Sequence, residues 1–292
     1  MAYKQILSIQ DIEGLSKFVF MIAFPILLFY SFANMVLPAH INWRFLLSYY
    51  LIALVTYSLG ILIHKYKFSG TVKDNVIFGL GSSFSNLVLV GLPIISSGLG
   101  EQAILPLFMI VSIQSAIFFS LSTMLIERGN LNGNISGRKI VSQALRDLTH
   151  NPIILSLFLG LIFNIAQIQI PIPVNDSLKI FSKAALPCAL FMLGASLNEY
   201  KIAGHLAESV TIVGLKMVLQ PLLVWMMAFI VFDLDPIWGS VAVLAAGMPI
   251  GVNTYLFAQT YQASTKTLSA AILLSSVFAV FSQTVLLTIF MR

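Results

Sequence analysis

The chain has 292 residues, of which 58% are hydrophobic and only 9% charged, against roughly 25% charged in an average soluble domain. That composition excludes an ordinary soluble protein and places the chain in a membrane. A net charge of +5 would suggest nucleic acid elsewhere, but here the basic residues sit in short loops between apolar stretches, so orientation in the bilayer explains them and no nucleic-acid partner is expected.

A transmembrane helix needs about 20 largely apolar residues. Nine stretches qualify: Leu15–Val36, Phe45–Ile63, Val76–Ser97, Ile104–Ile126, Pro152–Ile170, Leu178–Leu197, Ser209–Val231, Trp238–Gln259 and Leu268–Met291. The longest connection, Glu127–Asn151, is rich in Gly and Asn and reads as a central hinge. The single cysteine, Cys188, lies in an apolar run and offers no disulfide framework. No cleavable signal is evident in Met1–Gln10. An Asn134-Ile-Ser sequon falls in a loop expected on the cytoplasmic side and carries little weight.

Eleven Lys and Arg residues fall on the side of the N-terminus, four on the other, and Lys216 lies within a span. The positive-inside rule therefore expects a cytoplasmic N-terminus and central loop, with the C-terminus outside.

Two of the stretches carry helix breakers in mid-span. VIFGLGSSFSNLVLVGLPIISS contains Asn86, Gly91 and Pro93; WGSVAVLAAGMPIGVNTYLFAQ contains Gly247, Pro249, Gly251 and Asn253. Proline removes a donor and clashes with the preceding turn, so neither stretch is expected to form one continuous helix. Irregular backbone at membrane depth is tolerated where protein or a wet cavity covers it, and a matched pair of such segments marks a transporter's binding site.

The halves of the chain align at an offset of 162 residues, with Lys17/Lys179, Ala23/Ala185, Pro25/Pro187, Leu28/Leu190, Phe29/Phe191 and Ala33/Ala195 shared. The same offset superposes the next three spans on the seventh, eighth and ninth. Partners are five spans apart and cross in opposite directions, which is an inverted repeat. Pro152–Ile170 has no partner, so the expectation is a five-plus-five design whose first helix is missing from this sequence, leaving nine spans. We expect a single membrane domain over 1–292: an N-terminal repeat over 1–126, a cytoplasmic loop over 127–151 and a C-terminal repeat over 152–292.

All eleven acidic residues lie in loops or at span ends, which argues against a proton pump relying on a midplane carboxylate. No Walker loop, metal-ligand cluster or nucleophile motif occurs, so neither an enzyme nor a cofactor is expected. Asn86 and Asn253 lead the candidate binding residues, because an amide beside a helix break can satisfy freed backbone and donate to a carboxylate; capping a half-helix or packing against the crossing segment is the competing role. Gly91, Pro93, Pro249 and Gly251 shape the breaks. Lys216 either attracts an anion or snorkels to the cytoplasmic interface, and its depth of ~10 Å favours snorkelling. Gln114, Gln220 and Gln283 read as helix–helix glue, and His40, His64, His150 and His205 as solvated residues at span ends.

At NLVLVGLP (Asn86–Pro93), Asn151-Pro152, PCALFMLGASL (Pro187–Leu197), KMVLQPL (Lys216–Leu222) and MPIGVNTYLFAQTY (Met248–Tyr261) the chain resembles the auxin efflux carrier family, which includes plant auxin carriers and bacterial permeases for malonate and related acids. The resemblance implies a fold related to bile-acid sodium symporters, all helical, with two broken helices crossing in a mobile domain and an elevator-like motion against a scaffold. A homodimer is a possible assembly. The expected function is a bacterial inner-membrane secondary carrier of a small organic anion such as a mono- or dicarboxylate. A sodium-coupled symporter of the bile-acid type and a non-transporting or truncated paralogue are the alternatives.

Overall fold

In a computed structural model, residues 9–35, 42–129, 152–196 and 205–291 are described, with the side chains of 12, 13, 190, 192, 193, 195 and 196 left aside. His40, His150, Asn134, Asn151 and most of the central loop lie outside them. Helices account for nearly all of these residues: α1 (Gly14–Asn34), α2 (Trp43–Phe68), α3 (Val72–Gly81), α4 (Leu87–Leu99), α5 (Glu101–Gly129), α6 (Pro152–Ile165), α7 (Ile172–Ser196), α8 (Leu206–Val231), α9 (Pro236–Ala246), α10 (Asn253–Tyr261) and α11 (Thr265–Phe290). Five of them, α1, α2, α5, α8 and α11, are long and apolar enough to cross a membrane by length and composition.

The helices form two units, Met1–Ile41 with Ser142–Glu199, and Asn42–Val141 with Tyr200–Arg292. In the first, α6 packs on α1 at Gly160, where an added Cβ would stand 2.7 Å from the Phe29 carbonyl. One helix turn further, Asn164 donates from Nδ2 to the carbonyls of Phe32, Ala33 and Met35 at 3.0, 3.2 and 2.7 Å. A single amide thus serves the orphan carbonyls that end α1. α6 stops at Ile165, short of the expected Ile170, as Gln167 turns left-handed at φ 52°.

The second unit holds both interrupted stretches, α3–α4 and α9–α10. Its core joins Ile77 and Phe78 of α3 to Ile212 and Leu215 of α8, Ala258 of α10, and Leu268, Ala271 and Ile272 of α11, with Ile250 of the second break among them.

The first break falls earlier than the breakers suggested. The chain leaves helix over Ser82–Asn86 and runs helically through Gly91 and Pro93. Pro93 is tolerated because Leu87–Gly91 is wound as a π-helix, with the Gly91 N–H on Asn86 O and the Leu92 N–H on Leu87 O. A wider turn absorbs the missing donor and moves the carbonyl that the ring would strike. Pro25 and Pro221 likewise follow the π-helical stretches Val19–Ala23 and Leu215–Leu219 at the same two-residue spacing. In the second break the expectation holds: Pro249 lies within the non-helical segment between α9 and α10.

Candidate functional site

The two breaks meet. Ser85 and Ile250 form an antiparallel bridge, in which the Asn86 N–H donates to Pro249 O at 2.8 Å and the Gly251 N–H to Phe84 O at 3.0 Å. Each freed segment therefore satisfies part of the other's backbone, as buried peptide groups require. The bridge admits little bulk: a Cβ on Gly251 would come within 2.5 Å of the Phe84 ring. Gly91 has ordinary space around it, its nearest contacts at 3.5 Å.

The remaining groups are served from neighbouring helices. Gln114 of α5 donates from Nε2 to Ser85 O at 2.9 Å, while its Oε1 accepts from the Tyr49 hydroxyl at 2.8 Å. The Tyr49 oxygen in turn accepts from the Ser85 hydroxyl, with Oγ 3.0 Å away. Gln220 of α8 donates to Ser83 O at 3.3 Å. At the end of α9, Gln283 of α11 donates to Gly247 O, and the Lys216 ammonium donates to Ala246 O. Gln114, Gln220 and Gln283 are glue of a specific kind, binding helices to the freed carbonyls. Sequence reading saw these polar residues within spans but could not say which backbone groups they reach, and it missed Tyr49.

Lys216 corrects an expectation. It is fully buried, and its head turns inward to a helix C-terminus instead of snorkelling to an interface, because the terminal carbonyls of α9 offer it negative partial charge.

Asn86 stands at the N-terminal edge of α4, 7% exposed. It makes no side-chain capping bond, and its amide has no hydrogen bond to any described residue. The capping role therefore does not describe it. Beside it, the Leu87 N–H turns back onto Ser85 O at 3.0 Å, and the N-terminal turn of α4 adds partial positive charge. Asn253 opens α10 and is exposed. The α10 end is more fully occupied, since the amides of Thr254, Tyr255 and Leu256 and the Thr254 hydroxyl turn back onto Gly251 O and Val252 O. An aromatic row, Phe84–Phe119 at 5.0 Å and Phe119–Phe257 at 5.2 Å, flanks the breaks.

A second polar cluster lies at one end of the same unit, around a cavity of about 520 Å³ lined by His64, Asp74, His205, Glu208, Ser264 and Thr267 among others. His64 was expected to be solvated; it is 3% exposed, with Nδ1 2.7 Å from Asn75 Oδ1 and Nε2 3.9 Å from Glu208 Oε2. Gly70 and Phe78 cover the ring. His205 is exposed as expected. Burial works to raise the Asp74 carboxyl, but hydrogen bonds from the Thr71 hydroxyl, Ser264 and the Thr71 N–H outweigh it and hold the group below the usual carboxylate range.

A helical chain with several membrane-length apolar helices and a buried meeting of two broken ones has the make-up of a polytopic membrane transporter. The comparison with known families agrees: the chain belongs to the membrane transport protein family, that of the auxin efflux carriers, whose profile matches residues 1–287. It is similar to a Rhizobium meliloti (strain 1021) protein named "Putative malonate transporter", 27% identical over 239 residues covering 82% of this chain and 73% of the relative. It is also similar to auxin efflux carrier component 8 of Arabidopsis thaliana, 25% identical over 251 residues covering 70% of this chain and 68% of the relative.

Proposed function

We propose that the protein is a secondary carrier of a small organic anion, a mono- or dicarboxylate, which binds where the two broken helices meet. The observation that carries this reading is the Asn86 amide: buried, without a hydrogen bond to any described residue, and next to the N-terminal turn of α4. Two N–H donors of an amide match a carboxylate oxygen, and a helix N-terminus favours negative charge without a buried cation. The malonate in the name of the bacterial relative and the auxin in that of the plant relative are both carboxylates, which supports the substrate class.

In this reading, the 162-residue offset reflects an inverted repeat of nine spans in one membrane domain, with repeats over 1–126 and 152–292 joined by a cytoplasmic loop. Alternating access is elevator-like, the N-terminus is cytoplasmic and the C-terminus outside, and the bacterial inner membrane is the site of action. Pro249 and Gly251 shape the crossing, Gly91 and Pro93 belong to the α4 wall, and Asn253 is the second contact. The test is uptake of radiolabelled malonate, and of a monocarboxylate panel, into proteoliposomes carrying the chain. Saturable uptake that is lost in N86A supports the reading. Saturable uptake unchanged in N86A removes Asn86 from the site.

A further inference from the structure

Lys216 is a buried cation with an unusual set of neighbours. Its side chain is fully buried in the second unit, and its ammonium donates to Ala246 O, the last carbonyl of α9 before the break. Among the described residues no carboxylate pairs with it; the ion pairs there are those of Glu208 with His64 and His205. An isolated ammonium is costly to bury unless fixed dipoles replace its water. Here the replacement is the negative end of a half-helix.

Two amides belong to the same region, Gln220 four residues on from Lys216 in α8 and Gln283 at the carbonyl next to Ala246 O. Gln220 and Gln283 each spend their Nε2 on a freed carbonyl, Ser83 O and Gly247 O, which settles the amide orientation because the reverse would set oxygen against oxygen. Among the described residues their buried Oε1 atoms find no hydrogen-bond partner. Both side chains are essentially inaccessible, at 0% and 2% exposure. Neutral carbonyl and amide oxygens at the C-terminal end of a broken helix are what a transporter offers a monovalent cation.

We propose that the Lys216 ammonium is a tethered cation filling a monovalent-cation site at the broken end of α9. The carrier then needs no sodium ion at the crossing, and its transport is independent of the sodium gradient. That consequence rests on the carrier reading above; the site itself does not. Removing the ammonium while leaving its space should turn the site into one that a free cation can occupy.

The test is the melting temperature of the purified full chain in detergent, as choline chloride is exchanged for lithium, sodium, potassium or n-butylammonium chloride at constant chloride. Wild type should be unmoved by the exchange. K216A should melt lower in choline and be restored saturably by at least one of the small cations or by n-butylammonium. K216M, which fills the space without charge, should not respond. Should K216A fail to fold, K216S, which leaves the space and adds an oxygen, is read in its place; folding only when sodium or lithium is present supports the site. Saturable sodium stabilisation of wild type overturns the proposal. So does the absence of a cation response in K216A and K216S, or their failure to fold in every medium, since Lys216 is then a structural donor only. None of these readouts uses the transported substrate, so failure of the organic-anion reading would show separately, in the uptake assay.

Discussion

Asn86 and Gly251 carry the clearest consequences of single side chains. A hydrogen bond to a charged group contributes about 1.5–3 kcal/mol, so N86A should weaken carboxylate binding by roughly 10–100-fold. Its melting temperature should stay near that of wild type, since the amide bonds to no described residue. Titrating uptake against substrate concentration separates the two effects, and an unchanged KM would exclude Asn86 from contact. The two glycines make a control pair. G251A forces a methyl against the Phe84 ring and should cost about 1–3 kcal/mol by overpacking. G91A meets only ordinary contacts within a helical turn and should be neutral or slightly stabilising. Detergent-solubilised melting curves of both report the difference, and equal losses would contradict the geometry.

Elements are held here by polar groups that reach across helices. Gln114 joins α5 to the first break by serving Ser85 O while accepting from Tyr49. Q114L strands buried polar groups on two other elements and should cost roughly 2 kcal/mol or more, measured as a fall in melting temperature; Q114E, which still accepts from Tyr49, should be milder in that respect alone. At the start of α3, the Thr71–Asp74 capping box is extended by Ser264. Because Asp74 titrates below the usual range when folded, its contribution is complete above its unfolded pKa and is lost as pH falls through the folded one. The gap in melting temperature between wild type and D74N should therefore be full near neutrality and close in acid. A gap independent of pH would show that the carboxylate charge plays no part.

For the whole molecule, the decisive measurements are ligand binding and orientation. A carboxylate that binds only the native state raises apparent stability by about 2.7 kcal/mol at a hundredfold excess over Kd. A melting-temperature screen of organic acids should therefore find at least one that stabilises wild type and fails with N86A; a flat screen would count against the substrate class. Cys188 is the only cysteine, so replacing it allows single-cysteine labelling. Positions near Lys4 should react from the cytoplasmic side and positions near Arg292 from the outside, and the reverse pattern would overturn the orientation drawn from the basic loops.

Membrane class, helical content and the two interrupted stretches were legible in the sequence. Apolar run length and helix-breaking chemistry act over a few consecutive residues, so they leave a local trace. Pro93 marks the limit of that local logic: a proline can signal a break, yet a π-helical turn wound before it let α4 continue and moved the break to Ser82–Asn86. Which partner each buried polar group finds was decided by tertiary structure alone. Lys216 finds Ala246 O, 30 residues away, and His64 lies against Asn75 and near Glu208. A side chain's periodicity states the face it occupies, whereas the carbonyl or carboxylate waiting there depends on how separate helices pack.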